Sequence, residues 1–231
     1  MLRKSILLPL LLVTVTGMLQ AQDINQLVAN AKAKLGKVND YEAKGRMKTN
    51  VTFLKVPVAN VKVYFKAPSR MKIKSEKGVS FVPKGAVSIN AGGALGGNGY
   101  TIIDAGTDKV GNTLVRVAKL LPLDENSEVV LSTVYIDPIT SLILKSRTTT
   151  KENGTFELEM TFSRYAEFAL PDKVIFSFNT KDYKLPKGVT FDFDDGSTVT
   201  QANKEKQKKG RAEITFSNYI INKGVSDEVF R

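Results

Sequence analysis

From Val51 to Ser217, apolar and polar residues alternate with period two, run after run. Successive strand side chains point to opposite faces, so each run makes a strand with one apolar and one polar side. Phe156, Leu158, Met160 and Phe162 face one way, and Glu157, Glu159, Thr161 and Ser163 the other. Val61, Val63 and Phe65 oppose Lys62, Tyr64 and Lys66; Met71 and Ile73 oppose Lys72 and Lys74, with Pro68-Ser69 between the two runs as in a hairpin. Val51, Phe53 and Lys55 run opposite to Thr52, Leu54 and Val56. Val174, Phe176 and Phe178 continue the pattern, as do Ile214 and Phe216 opposite Glu213, Thr215 and Ser217. Further strands are expected at Ala86–Asn90, Tyr100–Asp104, Leu114–Leu120 and Val129–Ile136, then at Leu142–Thr150 after an Asp137-Pro138 turn. Asn153-Gly154 is a preferred type I′ hairpin pair. Ten or eleven strands without an internal repeat make a mainly β chain. A large antiparallel sheet with one apolar face must curl, close or be covered to hide it.

One helix precedes the strands. Over Asp23 to Lys37, Ile24, Leu27, Val28, Ala31 and Leu35 recur at three- and four-residue spacing. Asp23 can cap its start, Gly36 suits its end, and Asn39-Asp40 begins the next connection. Its apolar stripe must cover something. Ahead of it, Arg3 and Lys4, the apolar run Ile6–Val15 and the small Ala21 read as a secretory signal peptide cleaved after residue 21. The run is too short to span a membrane. The remainder, 22–231, fits one domain, able to hold a core without staples.

The composition prunes chemistry. No Cys means no disulfide framework, thiolate site or lipidated Cys, and no His means no Ser-His-Asp triad or imidazole metal site. Carboxylates, Lys and Tyr remain. Glu157 and Glu159 read as solvated outer-face residues, so no catalytic residue, metal ligand or cofactor is assigned. A carboxylate hydrolase is left as a minor alternative. The glycine-rich run 91–99 leads into a strand, where a phosphate loop would open a helix. Asp192, Asp194, Asp195 and Gly196 miss the calcium-loop spacing, because positions five and twelve fall on Gly196 and Asn203. The net charge of +11 becomes +9 once Arg3 and Lys4 leave with the leader. Export argues against nucleic acid and points that charge towards the envelope. Lys204, Lys206, Lys208, Lys209 and Arg211 read as a solvated loop between strands.

Four pieces resemble the LolA family of outer-membrane-lipoprotein carriers and sorting proteins. They are Asp40-Tyr41-Glu42-Ala43-Lys44-Gly45; the stretch Tyr64–Ile73, similar to the family's aromatic–x–x–Pro–x–x–Phe–Arg strand pair; Tyr135–Leu142 followed by a hairpin and Leu170–Val174; and Phe216–Val225 with the ending Asp227–Phe230. The regions Leu120–Leu123 and Asn179–Thr190 look like a Bacteroidetes-type variant. The resemblance implies an incomplete, open antiparallel barrel with an N-terminal helix and a helical or loop lid. It implies a soluble, unlipidated periplasmic carrier for acyl chains, working between an inner-membrane donor and an outer-membrane acceptor. The family's lid-tethering Arg corresponds to Lys72, with Arg70 on the same phase. The residues themselves offer a lining of Phe53, Val61, Val63, Phe65, Met71, Ile73, Phe156, Leu158, Met160, Phe162, Phe176 and Phe178. Met71 and Met160 suit floppy chains. A monomer binding an acylated lipoprotein or lipid is expected. The alternative is an envelope-stress sensor or protein-interaction module of the same shape, whose cradle is filled.

Overall fold

The computed structural model describes residues 23–51, 54–55, 58–75, 95, 99–152, 154–179 and 209–231. The leader, the expected strand Ala86–Asn90, the lining residue Phe53, most of the glycine-rich run and the Asp192–Gly196 turn lie outside the described residues. Helix α1 spans Ile24–Leu35. The strands are β1 (Asp40–Val51), β2 (Leu54–Lys55), β3 (Ala59–Lys66), β4 (Arg70–Ser75), β5 (Tyr100–Val110), β6 (Thr113–Pro122), β7 (Val129–Ile136), β8 (Ile143–Thr150), β9 (Gly154–Thr161), β10 (Lys173–Asn179) and β11 (Lys209–Ile221).

All belong to one antiparallel sheet in the order β4-β3-β1-β11-β10-β9-β8-β7-β6-β5, with β2 beside β1. Among the described residues β4 and β5 end the path and do not pair, so the barrel they form is open. β5 to β10 follow one another as a meander. β11 then returns to lie between β10 and β1, joining the two ends of the described chain in mid-sheet. The β8–β9 hairpin forms, but one step earlier than expected: a two-residue type I′ turn at Asn153-Gly154 would pair Glu152 with Thr155, whereas Thr149 pairs with Thr155 and Thr150 with Gly154, so Gly154, at φ +67°, opens β9 as a strand residue.

Asp23 caps α1 by accepting the N–H of Asn25 at 3.2 Å. Ile24, Leu27, Val28 and Ala31 are buried, and the helix lies against β5, β6, β7 and a short 3-10 turn at Ala166–Phe168. Gly36 N–H still bonds to the Lys32 carbonyl at 2.9 Å, but the next amides reach only three residues back, Lys37 to Lys34 and Val38 to Leu35 at 3.3 Å, so the helix ends at Leu35, two residues before Lys37.

Three expectations need correction. Asp40 opens the twelve-residue strand β1 directly, with no connection; of the run 51–56, the described residues are Val51 at the end of β1 and the two residues of β2. β5 continues past Asp104 to Val110; nearly all of that extension is exposed on both faces, so no apolar alternation marks it. Lys209 and Arg211 are strand residues. Arg211 pairs with Asn50 on one side and Ser177 on the other, so ladder pairing on both flanks outweighs a charge-rich composition.

Candidate functional site: the inner sheet face

Register decides which side chains share the inner face. Across β4, β3 and β1 the rows are Met71–Phe65–Tyr41 and Ile73–Val63–Ala43. Across β9, β10, β11 and β1 they are Met160–Val174–Ile214–Met47 and Leu158–Phe176–Ala212–Thr49. Phe156 and Phe178 lie opposite one another in the next row. Except for Ile73, every residue in these rows is buried, and the apolar ones form one cluster with α1 and with Leu95. Of the expected lining, Val61, Val63, Phe65, Met71, Phe156, Leu158, Met160, Phe176 and Phe178 belong to that cluster, while Ile73 and Phe162 pack half-buried against it. The structure thus brings the described lining residues together on one face. It adds Tyr41, Ala43, Met47, Leu120, Val134, Ile136, Ile214, Phe216 and Tyr219.

One end of this face is aromatic. Tyr41 stacks on Phe65 at 5.3 Å, and Tyr219 meets Tyr41, Phe216 and Tyr165 with centroids 5.3, 5.1 and 5.0 Å away. The Tyr219 hydroxyl donates to the Pro171 carbonyl at 2.7 Å. Burial pushes both the Tyr41 and Tyr219 phenols far up, so they stay neutral donors. The other side of the face is more polar. The Ser132 and Thr148 hydroxyls pair at 3.1 Å, and Arg116 donates to Asp104 at 2.6 Å. Among the described residues, the buried hydroxyls of Ser146 and Thr49 find no partner.

The outer face holds the other phase. Glu157 takes Lys145 at 3.3 Å and Arg147 at 3.7 Å, and Glu159 lies 3.9 Å from Lys145, so the two carboxylates of β9 sit in surface ion pairs. Lys72 also points outward, in register with Tyr64. Its Nζ donates to the main-chain oxygen of Arg231. Beside it, Lys66 reaches Asp227 at 2.7 Å and the Val225 carbonyl at 3.2 Å, and Arg70 reaches Asp227 at 2.8 Å with Phe230 against its guanidinium. The element that Lys72 and Arg70 tie down is therefore the C-terminal segment 222–231 on the outer face, and not a lid over the inner one. No group of three or more potential metal-ligating residues occurs among the described residues. No described helix is long and apolar enough to cross a membrane.

No family model matches the sequence, and no curated protein matches it. Solved structures do. A domain from Vibrio parahaemolyticus described as an outer membrane lipoprotein-sorting protein superposes with a TM-score of 0.56 at 10% identity, covering 89% of this chain and 94% of that one. A LolA superfamily protein from Nitrosomonas europaea gives 0.56 at 8%, covering 90% and 96%. A DUF1329 family protein from Desulfovibrio piger gives 0.55 at 12%, covering 90% and 97%. At such identities the likeness is one of fold, and the chain has the LolA-like fold.

Proposed function

We propose that this chain is a periplasmic carrier that takes the acyl chains of lipoproteins, or of other lipids, against its inner sheet face and delivers them to the outer membrane. In this reading residues 1–21 are a cleaved leader, 22–231 are one half-barrel, and the monomer works without cofactor or catalysis between a donor at the inner membrane and an acceptor at the outer one. The observation that carries it is an apolar face running through ten paired strands of a sheet that stays open among the described residues. A closed barrel has no free edges; among the described residues this one leaves β4 and β5 unpaired, with α1 laid against β5, β6 and β7. Met47, Met71 and Met160 lie among the lining residues, and unbranched thioethers repack around irregular ligands. Each buried methylene contributes about 0.8 kcal/mol, so ten give roughly 8 kcal/mol gross, near micromolar affinity before costs. That is weak enough for cargo to be released.

The test is mass spectrometry of an organic extract from protein purified out of the native periplasm, followed by titration of the delipidated protein with acylated and unacylated forms of one peptide. Co-purified lipid and selective binding of the acylated form are expected. Recovery of one stoichiometric protein without lipid, and no acyl preference, would replace the carrier with the interaction module.

A further inference from the structure

The outer face of β1, β3 and β4 carries cations at a density that folding does not explain. The outward phase holds Lys44, Arg46 and Lys48 on β1, Lys62 and Lys66 on β3, and Arg70, Lys72 and Lys74 on β4. Register sets Lys44, Lys62 and Lys74 directly opposite one another in a single row. Neighbouring strands lie about 4.8 Å apart, and like charges directly opposite destabilise a sheet. Among the described residues, Lys62 alone in that row has an acid within ion-pair distance, Glu42 at 3.9 Å; on the other flank of β1, Lys48 stands opposite Glu213, which takes Lys173 at 2.9 Å. Lys44, Arg46, Lys48 and Lys74 make no ion pair among the described residues, and Lys74 lies over the Tyr64 ring at 5.6 Å. A surface selected for stability or solubility alone would interleave the signs. At the opposite corner Asp227 pairs with Lys66 and Arg70, and the main-chain oxygens of Val225 and Arg231 accept from Lys66 and Lys72.

We propose that this face docks the protein on a bilayer bearing anionic headgroups, and that Asp227 of the C-terminal segment, paired with Lys66 and Arg70, competes for part of the same surface. The cations spread over three adjacent strands of a sheet face, the shape of a planar partner, whereas an acidic peptide would be held in a groove or along an edge. Tyr64 sits among them with an apolar body and a polar tip, the residue type that settles at a membrane boundary. Each Lys or Arg near such a surface contributes about fivefold in affinity, and the attraction decays over about 10 Å at 0.1 M salt. The surface is independent of acyl binding on the inner face.

The experiment is co-sedimentation of the purified protein with vesicles of phosphatidylcholine alone and of phosphatidylcholine mixed with phosphatidylglycerol. Binding to the mixed vesicles alone, falling as salt rises, is expected. The triple variant Lys44→Gln, Lys62→Gln, Lys74→Gln should bind at least about tenfold more weakly, with a melting temperature no lower than that of the parent because repulsion is relieved. Asp227→Asn should bind more tightly, and Glu152→Gln, which adds the same charge at the β8–β9 turn, should change binding less. Equal binding to both vesicle types, or a triple variant that binds like the parent, overturns the proposal. A soluble acidic peptide that binds this face as tightly as the vesicles overturns it in favour of an acidic protein partner. Titration of the same samples with an acylated peptide separates the two readings: loss of vesicle binding alone leaves the carrier standing.

Discussion

One methyl group at position 45 tests how tightly the centre of the sheet is built. Gly45 sits at the irregularity where β1 shifts register against β11. A Cβ there would lie 2.7 Å from the Thr215 carbonyl oxygen and 3.3 Å from Ile214 Cγ2. The oxygen belongs to the neighbouring strand, so it moves only if the ladder moves. Gly45→Ala should cost about 1–3 kcal/mol, a fall of about 2–4 °C in melting temperature for each kcal/mol in a chain this size. Gly210 is crowded differently. Its Cβ would come within 2.3 Å of the Phe178 ring, which packs on Phe176 at 5.3 Å. Gly210→Ala should therefore destabilise alone, and Phe178→Leu in the same chain should recover part of the loss. If a thermal melt of the double variant shows simple addition, the ring is not the obstacle. Both glycines explain why β1 and much of β11 are hard to read in the sequence. The inner positions of β1 run Tyr41, Ala43, Gly45, Met47 and Thr49, where small and polar residues dilute the apolar signal and four outward charges separate them.

At the scale of elements, Asp227 is one of several ties of the C-terminal segment, beside the Gly224 N–H on Asp40 at 2.9 Å and Lys66 on the Val225 carbonyl at 3.2 Å. The hydrogen bond from Lys66, with Arg70 beside it, holds the Asp227 carboxyl below its ordinary value. A group whose folded value is depressed contributes stability above its unfolded value and loses it as pH falls through the folded one. The segment should therefore stay docked at neutral pH and loosen only below the usual carboxylate range. Hydrogen exchange across residues 222–231 should speed up there, while Asp227→Asn should exchange faster even at neutral pH and lose the acid dependence. Exchange in the variant as slow as in the parent would place the hold elsewhere. The elements differ in how legible they are. β7 runs from Val129 to Ile136 as its alternation dictates, and α1 follows from its spacing and its Asp23 cap. The phase of Lys72 is legible too, because Met71 and Ile73 flank it on the apolar phase. Its partner is not: Arg231 lies 159 residues away in a turn with no period, brought there only because β11 returns to mid-sheet.

For the whole molecule, the question is whether an open sheet with its apolar face largely hidden still has room for a guest. α1 presses Leu27 and Val28, 0% and 1% exposed, into the same cluster as the lining. An acyl chain entering this face would replace helix contacts with its own. Binding to the folded state alone raises stability by about 2.7 kcal/mol when free ligand is a hundredfold above its dissociation constant. At about 2–4 °C per kcal/mol that is a rise of roughly 5–11 °C in melting temperature with acylated peptide, and none with the unacylated control. A filled core gives no rise with either. The helix adds a second reading to the same melt. Leu27→Ala should cost about 2–5 kcal/mol without ligand. If α1 is what the acyl chain displaces, a weakened helix lowers the cost of opening, and apparent affinity rises with the fraction of open molecules. The ligand-induced rise should then be larger in Leu27→Ala than in the parent, although the variant melts lower. An equal rise in both would mean that the chain enters elsewhere on the inner face and α1 stays seated.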